Sequence, residues 1–304
     1  MPRPRNGVVL EAIGRGRLLA SRVALPSAVV WATGGAFLCG GASVIWLGTS
    51  RAEWLPLFFD YPGTFTVIAL NLAGAVLSLL ARGQFSRGEP LRLVWSVLTL
   101  AAACNLASGI LSQMAGEGWL RGRLILGGPA QTVLLVLGLT LALRIYRRSG
   151  VQSRPGSWDW LLMGVAAGFS AWEICEPVLA ARATPVSFQQ AVNLVNDPLL
   201  SVLLIEAILI RRSALKMGRG LIARCWGAFT AAILLTFAGD VAVWLSGHSP
   251  VPVPLMATTW YLWFLASGAY ALAPAYQVEA CRRASGPGGS QPAAPSGQSA
   301  MPTG

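Results

Sequence analysis

The chain has 304 residues, of which 12% are charged and 54% hydrophobic, and its mean hydropathy is +0.58. A soluble domain carries charge on about a quarter of its residues, so a water-facing surface on this scale is excluded and lipid is the expected solvent. The net charge of +11 does not mark a nucleic-acid surface, because the basic residues sit in short clusters between apolar stretches and not on one folded face.

In chain order, a basic arm over residues 1–26 carries Arg3, Arg5, Arg15, Arg17 and Arg22. The first apolar stretch, Ser27 to Leu47, is too long for a signal-peptide core and reads as a retained span. Further stretches near the roughly 20 apolar residues that cross a bilayer follow at Pro62 to Leu80, Leu91 to Leu111 and Leu124 to Tyr146. After a connection over 147–157 come Trp158 to Leu179, Pro198 to Lys216, Leu221 to Leu245 and Pro254 to Tyr276. The tail, 277–304, is expected to be disordered, with Ser285 to Gly304 rich in Gly, Pro, Ser and Ala. The expected fold is therefore all-α: a polytopic membrane protein of eight transmembrane helices.

Orientation follows from counting basic residues in the connections. Of the 23 Lys and Arg residues, 19 fall in the arm, the even-numbered connections and the tail, leaving Arg51, Arg121, Arg123 and Arg182 on the other side. This alternation places both termini in the cytoplasm. With 22 Arg to 1 Lys, the composition resembles GC-rich bacterial coding, which suggests a bacterial inner membrane. The basic inner surface favours anionic lipid headgroups. Trp46, Trp54, Trp119 and Trp244 fall near the outer boundary, and Trp95, Trp158, Trp160 and Trp226 near the inner one, as interfacial anchors do.

The two halves align at a spacing of roughly 130 residues. Pro62 matches Pro198 and Phe37 matches Phe169, while Trp95 and Thr99 match Trp226 and Thr230, both at 131. Four spans per half predict a 4+4 parallel internal repeat, 27–146 and 158–276, with any shared function between the halves. The same alignment starts the sixth span at Pro198, so that Asp197 caps a helix and residues 187–196 form an outer segment.

Ionisable groups inside a membrane are costly and so point to function. The first half has only Asn71, Asn105 and Gln131 within its spans, whereas the second has Glu173, Glu176, Glu206 and Asp240, with Asp197 at a helix start. Glu173 and Glu176 share a helix face. With Asp197 and Asp240 they stand at one level, where they either gather to attract a cation or amine, or reach the interface and pair with Arg182. Glu206 lies near mid-depth and is expected opposite Asn71, as a hydrogen-bonded pair or as a coupling residue. The five cysteines have no metal-type spacing, His248 is the single histidine, and Gly34, Gly35, Gly40, Gly41, Gly164 and Gly168 suit close helix packing. No catalytic, metal or cofactor motif is present.

Three functional readings follow. The first is a ligand- or ion-responsive, sensor-like module that acts through a signalling partner, with the candidate residues Glu173, Glu176, Asp197, Glu206, Asp240 and Asn71. The second is a secondary transporter coupled through Glu206. The third, an intramembrane enzyme acting on lipid through paired carboxylates, has the least support. The sequence leaves the oligomeric state open.

Overall fold

The computed structural model describes residues 24–114, 117–148, 150, 154–180, 187–247 and 252–285; residues 117, 176–180, 246–247 and 252–256 are described in backbone only. Among them are eight long helices: α1 (Leu25–Ser50), α2 (Thr64–Gly83), α3 (Pro90–Leu111), α4 (Gln131–Arg148), α5 (Ser157–Ala180), α6 (Phe188–Lys216), α7 (Leu221–Gly247) and α8 (Pro252–Ala284). Short helical pieces lead into α2 from Ala52 and into α4 from Glu117, with one π-turn each, at Phe59–Gly63 and Leu126–Ala130. These wider turns hold Pro62 and Pro129, whose rings and missing N–H disturb the regular ladder.

Every expected span falls on a helix. Six segments, Leu25–Ser50, Ala52–Gly83, Pro90–Leu111, Gly118–Arg148, Phe188–Lys216 and Leu221–Leu245, are long and apolar enough to cross a membrane. The chain is thus a multi-pass membrane protein, because only helices satisfy their own backbone groups within one segment in lipid. Of the other two long helices, α5 carries Asp159 and Glu173, and α8 carries Trp260, Tyr261, Trp263, Tyr270 and Tyr276.

The start of α6 differs from expectation. Ser187 caps it with a complete capping box: its hydroxyl accepts from the Gln190 N–H, and the Gln190 side chain accepts from the Ser187 N–H. The helix then runs unbroken through Pro198, so Asp197 is internal and caps nothing. The local cap outweighs the proline, which is tolerated where neighbours re-satisfy the freed carbonyls. Pro62 is likewise internal, ten residues into Ala52–Gly83, as Pro198 is ten into Phe188–Lys216.

Six helices close into a ring, in the order α2, α3, α4, α6, α7, α8 and back to α2. Outside the ring, α1 lies against α8, and α5 against α6. Along α1 only Pro26 and Gly40 are buried, while Trp31, Leu38 and Ile45 face outward. Glycines within the ring make close approaches possible: a methyl on Gly138 would overlap Leu98 of the neighbouring α3. Gly34, Gly35, Gly164 and Gly168, expected at packed surfaces, have nothing within 4 Å of such a methyl, whereas Gly40 and Gly41 do meet Trp260 and Tyr261.

The tryptophans divide in two. Trp158 is 76% exposed, and Trp46, Trp54, Trp119 and Trp160 are also exposed, as lipid-facing anchors would be. Trp95 and Trp226, expected at the same boundary, are instead 0% and 2% exposed inside the ring. Their surroundings match: the Thr99 hydroxyl donates to the Trp95 carbonyl at 2.6 Å, and that of Thr230 to the Trp226 carbonyl at 2.8 Å. Trp226 Nε1 also donates to the Tyr146 hydroxyl at 2.6 Å, tying α7 to α4.

At the arginine-rich end, Asp159 holds α5 against α6. Its carboxylate is buried, accepts from the Gly156 N–H at 2.7 Å and pairs with Arg212 at 2.6 Å. A charge-assisted bond of this kind contributes about 1.5–3 kcal/mol, and the half-exposed guanidinium lowers its share. Asp159→Ala should therefore lower the melting temperature of the detergent-solubilised protein, whereas Arg51→Ala, at an exposed pair 4.0 Å apart, should leave it unchanged. Equal effects would refute the assignment of Asp159 as the tie.

Candidate functional site

At the arginine-poor end, the first three turns of α6 present Gln189, Asn193 and Asn196 on one face, at helical spacing. That polar stripe borders two adjoining cavities. The smaller, about 270 Å³, is lined by Glu173 of α5, Asp197 of α6, Asp240, Val243 and Trp244 of α7 and Trp263 of α8, together with the stripe. The larger, about 550 Å³, lies inside the ring and shares Gln189, Asn193, Asn196 and Trp263. Its other walls include Asp60, Asn71, Asn105, Ser108, Arg123 and Trp260.

Three of the expected carboxylates therefore meet. Glu173 and Asp240 both lie within electrostatic range of Asp197. One oxygen of Asp197, Oδ2, is buried without a hydrogen-bond partner, and no salt bridge to Glu173, Asp197 or Asp240 is present among the described residues. Asp240 Oδ1 accepts from Trp263 Nε1 at 3.2 Å. When ionised, three acidic groups facing one small space repel one another, and the repulsion falls when a positive group enters between them. The indoles of Trp244 and Trp263 also line the space, and aromatic rings are among the groups that attract organic cations.

Backbone placement explains the convergence. Asp240 and Trp244 are four apart on α7 and so share a face. Gly239 lets α8 come close: a methyl there would overlap the Trp263 indole, whose Nε1 must reach Asp240. The Ser170 hydroxyl of α5 lies 2.6 Å from that of Ser201 and donates to the Asp197 carbonyl at 2.9 Å, seating α5 on α6 beside Pro198.

The remaining candidates lie elsewhere. Glu176 is on α5, but its side chain lies outside the described residues, as do Arg182 and His248. Glu206 does not face Asn71. Its Oε1 accepts from the Thr140 hydroxyl of α4 at 2.5 Å, its Oε2 is buried and unpartnered, and it lines neither cavity. Asn71 lines the larger cavity with Asn105. Asp60, Arg123, Trp244 and Trp263 were not singled out from the sequence as site residues. Trp244 was findable from its spacing to Asp240, and the stripe on α6 from a helix begun at Ser187. Among the described residues, no three His, Cys, Asp or Glu side chains are grouped closely enough to hold a metal ion.

These features define an all-α, multi-pass membrane protein with a carboxylate-lined cavity at one end of a helix ring. Neither the protein-family models, nor the curated proteins, nor the solved structures contain a match to this chain.

The Gly239 notch is testable on its own. Overpacking costs about 1–3 kcal/mol, so Gly239→Ala should lower the melting temperature, and much less so when combined with Trp263→Leu. Additive effects in a double-mutant cycle would show that the two positions do not meet.

Proposed function

We propose that the chain is an eight-span protein of a bacterial inner membrane, with cytoplasmic termini, that binds a small organic cation from the outer side and passes the binding event to a signalling partner. The observation that carries this reading is the joint lining of one cavity by Glu173, Asp197, Asp240, Trp244 and Trp263. A bare metal ion needs donors clustered about it, whereas a methylated or primary ammonium group suits spaced carboxylates and indole faces. The asymmetry of 19 basic residues against 4 supports an outward-facing cavity. It also supports contact of the opposite end with anionic headgroups.

The ring supports a 4+4 parallel repeat. Under a half-chain shift, α2–α3 corresponds to α6–α7, α3–α4 to α7–α8, and α8–α2 to α4–α6, all of which are packed pairs. The matched environments of Trp95 and Trp226 and the matched depths of Pro62 and Pro198 point the same way. The larger cavity is lined from both halves, where such repeats hold their ligands, while the carboxylate cavity beside it is lined by the second half.

The test is binding of tetramethylammonium and putrescine to the purified protein in nanodiscs, followed by calorimetry. At least one should bind. Asp240→Asn and Asp197→Asn should each weaken it by about 10- to 100-fold, the loss of one charge-assisted contact. If neither cation binds, or if the variants bind as well as the parent, the reading is wrong. A reporter fused after Gly304 should be cytoplasmic; finding it outside would reverse the orientation.

Glu206 supports a second reading, secondary transport. One of its carboxylate oxygens is buried without a partner in a membrane helix, the kind of position that proton- and ion-coupled carriers use. In proteoliposomes, Glu206→Gln should abolish uptake driven by a proton or sodium gradient, and retained gradient dependence would reject the role.

A further inference from the structure

Below the larger cavity the ring holds a second, much smaller space of about 30 Å³. Its polar lining is unusual for the centre of a helix bundle: Asn71 and Ser78 of α2, Asn105 of α3, Gln131 of α4 and Ser267 of α8. Asn71 and Asn105 line both spaces, so the smaller one adjoins the larger cavity. Asn71 is only 7% exposed, and its Oδ1 is buried with no hydrogen-bond partner. Other atoms of the Asn71 side chain line the space. By this measure of volume, about 10–15 Å³ admits one water molecule, so the space takes one or two waters or the polar tip of a solute.

Phe229 and Tyr270 close the far side of this space, together with Leu98. Beyond them is a dense aromatic cluster. Phe229 packs on Trp226 at 5.6 Å between ring centroids, on Trp95 at 6.2 Å and on Tyr270 at 6.1 Å. Trp226 in turn meets Tyr146 at 6.2 Å, edge to face. Trp95, Trp226 and Phe229 are all buried, and the cluster draws on α3, α4, α7 and α8.

We infer that the interior of the ring is a water-filled path for a neutral hydrogen-bonding solute, running from the arginine-poor end to an amide seat at Asn71, Asn105 and Gln131 and closed towards the arginine-rich end by the Trp95–Phe229–Trp226–Tyr146 plug. The seat offers only amides and hydroxyls, so it recognises hydrogen-bond donors and acceptors and not net charge. The carboxylate cavity is a neighbouring compartment, and the path stands whether or not that cavity binds a cation. With one end open and the other plugged, the ring has the form of a carrier open to one side.

Cysteine accessibility tests this in the full-length chain. In a background with Cys39, Cys104, Cys175, Cys225 and Cys281 replaced by Ala, single cysteines are treated with the membrane-impermeant reagent 2-(trimethylammonium)ethyl methanethiosulfonate. Treatment is of intact cells, reaching the outer side, or of inverted vesicles, reaching the inner. Reactivity follows exposure, so Asn105→Cys and Asn71→Cys should react from outside at least about tenfold faster than Leu139→Cys, which is fully buried on α4, and should be protected from inside. Asn193→Cys, at the mouth, sets the upper rate. Adding Trp226→Ala should open the plug and make Asn105→Cys reactive from inside. Rates at Asn71 and Asn105 no faster than at Leu139, or reaction from the inner side alone, would overturn the path. Continued inner protection after Trp226→Ala would overturn the plug. Asn105→Cys, which borders both spaces, supplies the same reading if Asn71→Cys does not accumulate in the membrane.

Discussion

The rest of this structure depends on one constraint: in hydrocarbon, a polar side chain must find a partner, a cavity or the surface. The chain has few such side chains, and the ring collects them. Asn71, Asn105, Gln131, Ser78 and Ser267 turn inward to a shared space, while Trp31, Leu38 and Ile45 of the peripheral α1 turn outward. Lipid is as apolar as leucine and gives helices little hydrophobic reason to associate. What holds this ring together is close packing and a small set of specific bonds, Trp226 to Tyr146 and Thr140 to Glu206, while Asp159 to Arg212 ties the peripheral α5 to it.

Much of the fold was legible because membrane helices declare themselves by length and composition alone. The positions of all eight helices followed from apolar runs bounded by arginine, glycine and proline. The start of α6 did not. Pro198 and the acid before it form a plausible helix start, but the Ser187 capping box lies ten residues earlier and wins, because a satisfied cap and an amphipathic first segment outweigh one proline inside the helix. The same misplacement hid the stripe of Gln189, Asn193 and Asn196, which exists only if those residues are helical.

The site was half legible. That Glu173, Asp197 and Asp240 lie at one depth could be read from span lengths, but facing each other depends on rotations of three helices, which hydropathy does not encode. Glu206 shows the limit from the other side. Its partner is Thr140 and not Asn71, because α6 packs on α4. Trp95 and Trp226 sat where interfacial anchors sit, and only packing reveals that they point inward. Asp159 looked like an ordinary acidic residue in a first helical turn, and its ion pair with Arg212 joins residues more than fifty positions apart.

The two indoles of α8 that border the larger cavity sit in glycine notches on different neighbours. Trp260 presses on Gly63, at the end of the π-turn before α2, and Trp263 on Gly239 of α7; a methyl at either glycine would overlap the ring it faces. Being three residues apart, the indoles stand on one side of α8 like two teeth of a key. A rotation of α8 about its axis would withdraw both at once, loosening α2 from one side and α7 from the other. Such a turn would move the Trp260 wall of the larger cavity and break the Trp263–Asp240 bond in the smaller one together. The two compartments are thus geared to a single shaft, and neither can change shape alone by that motion.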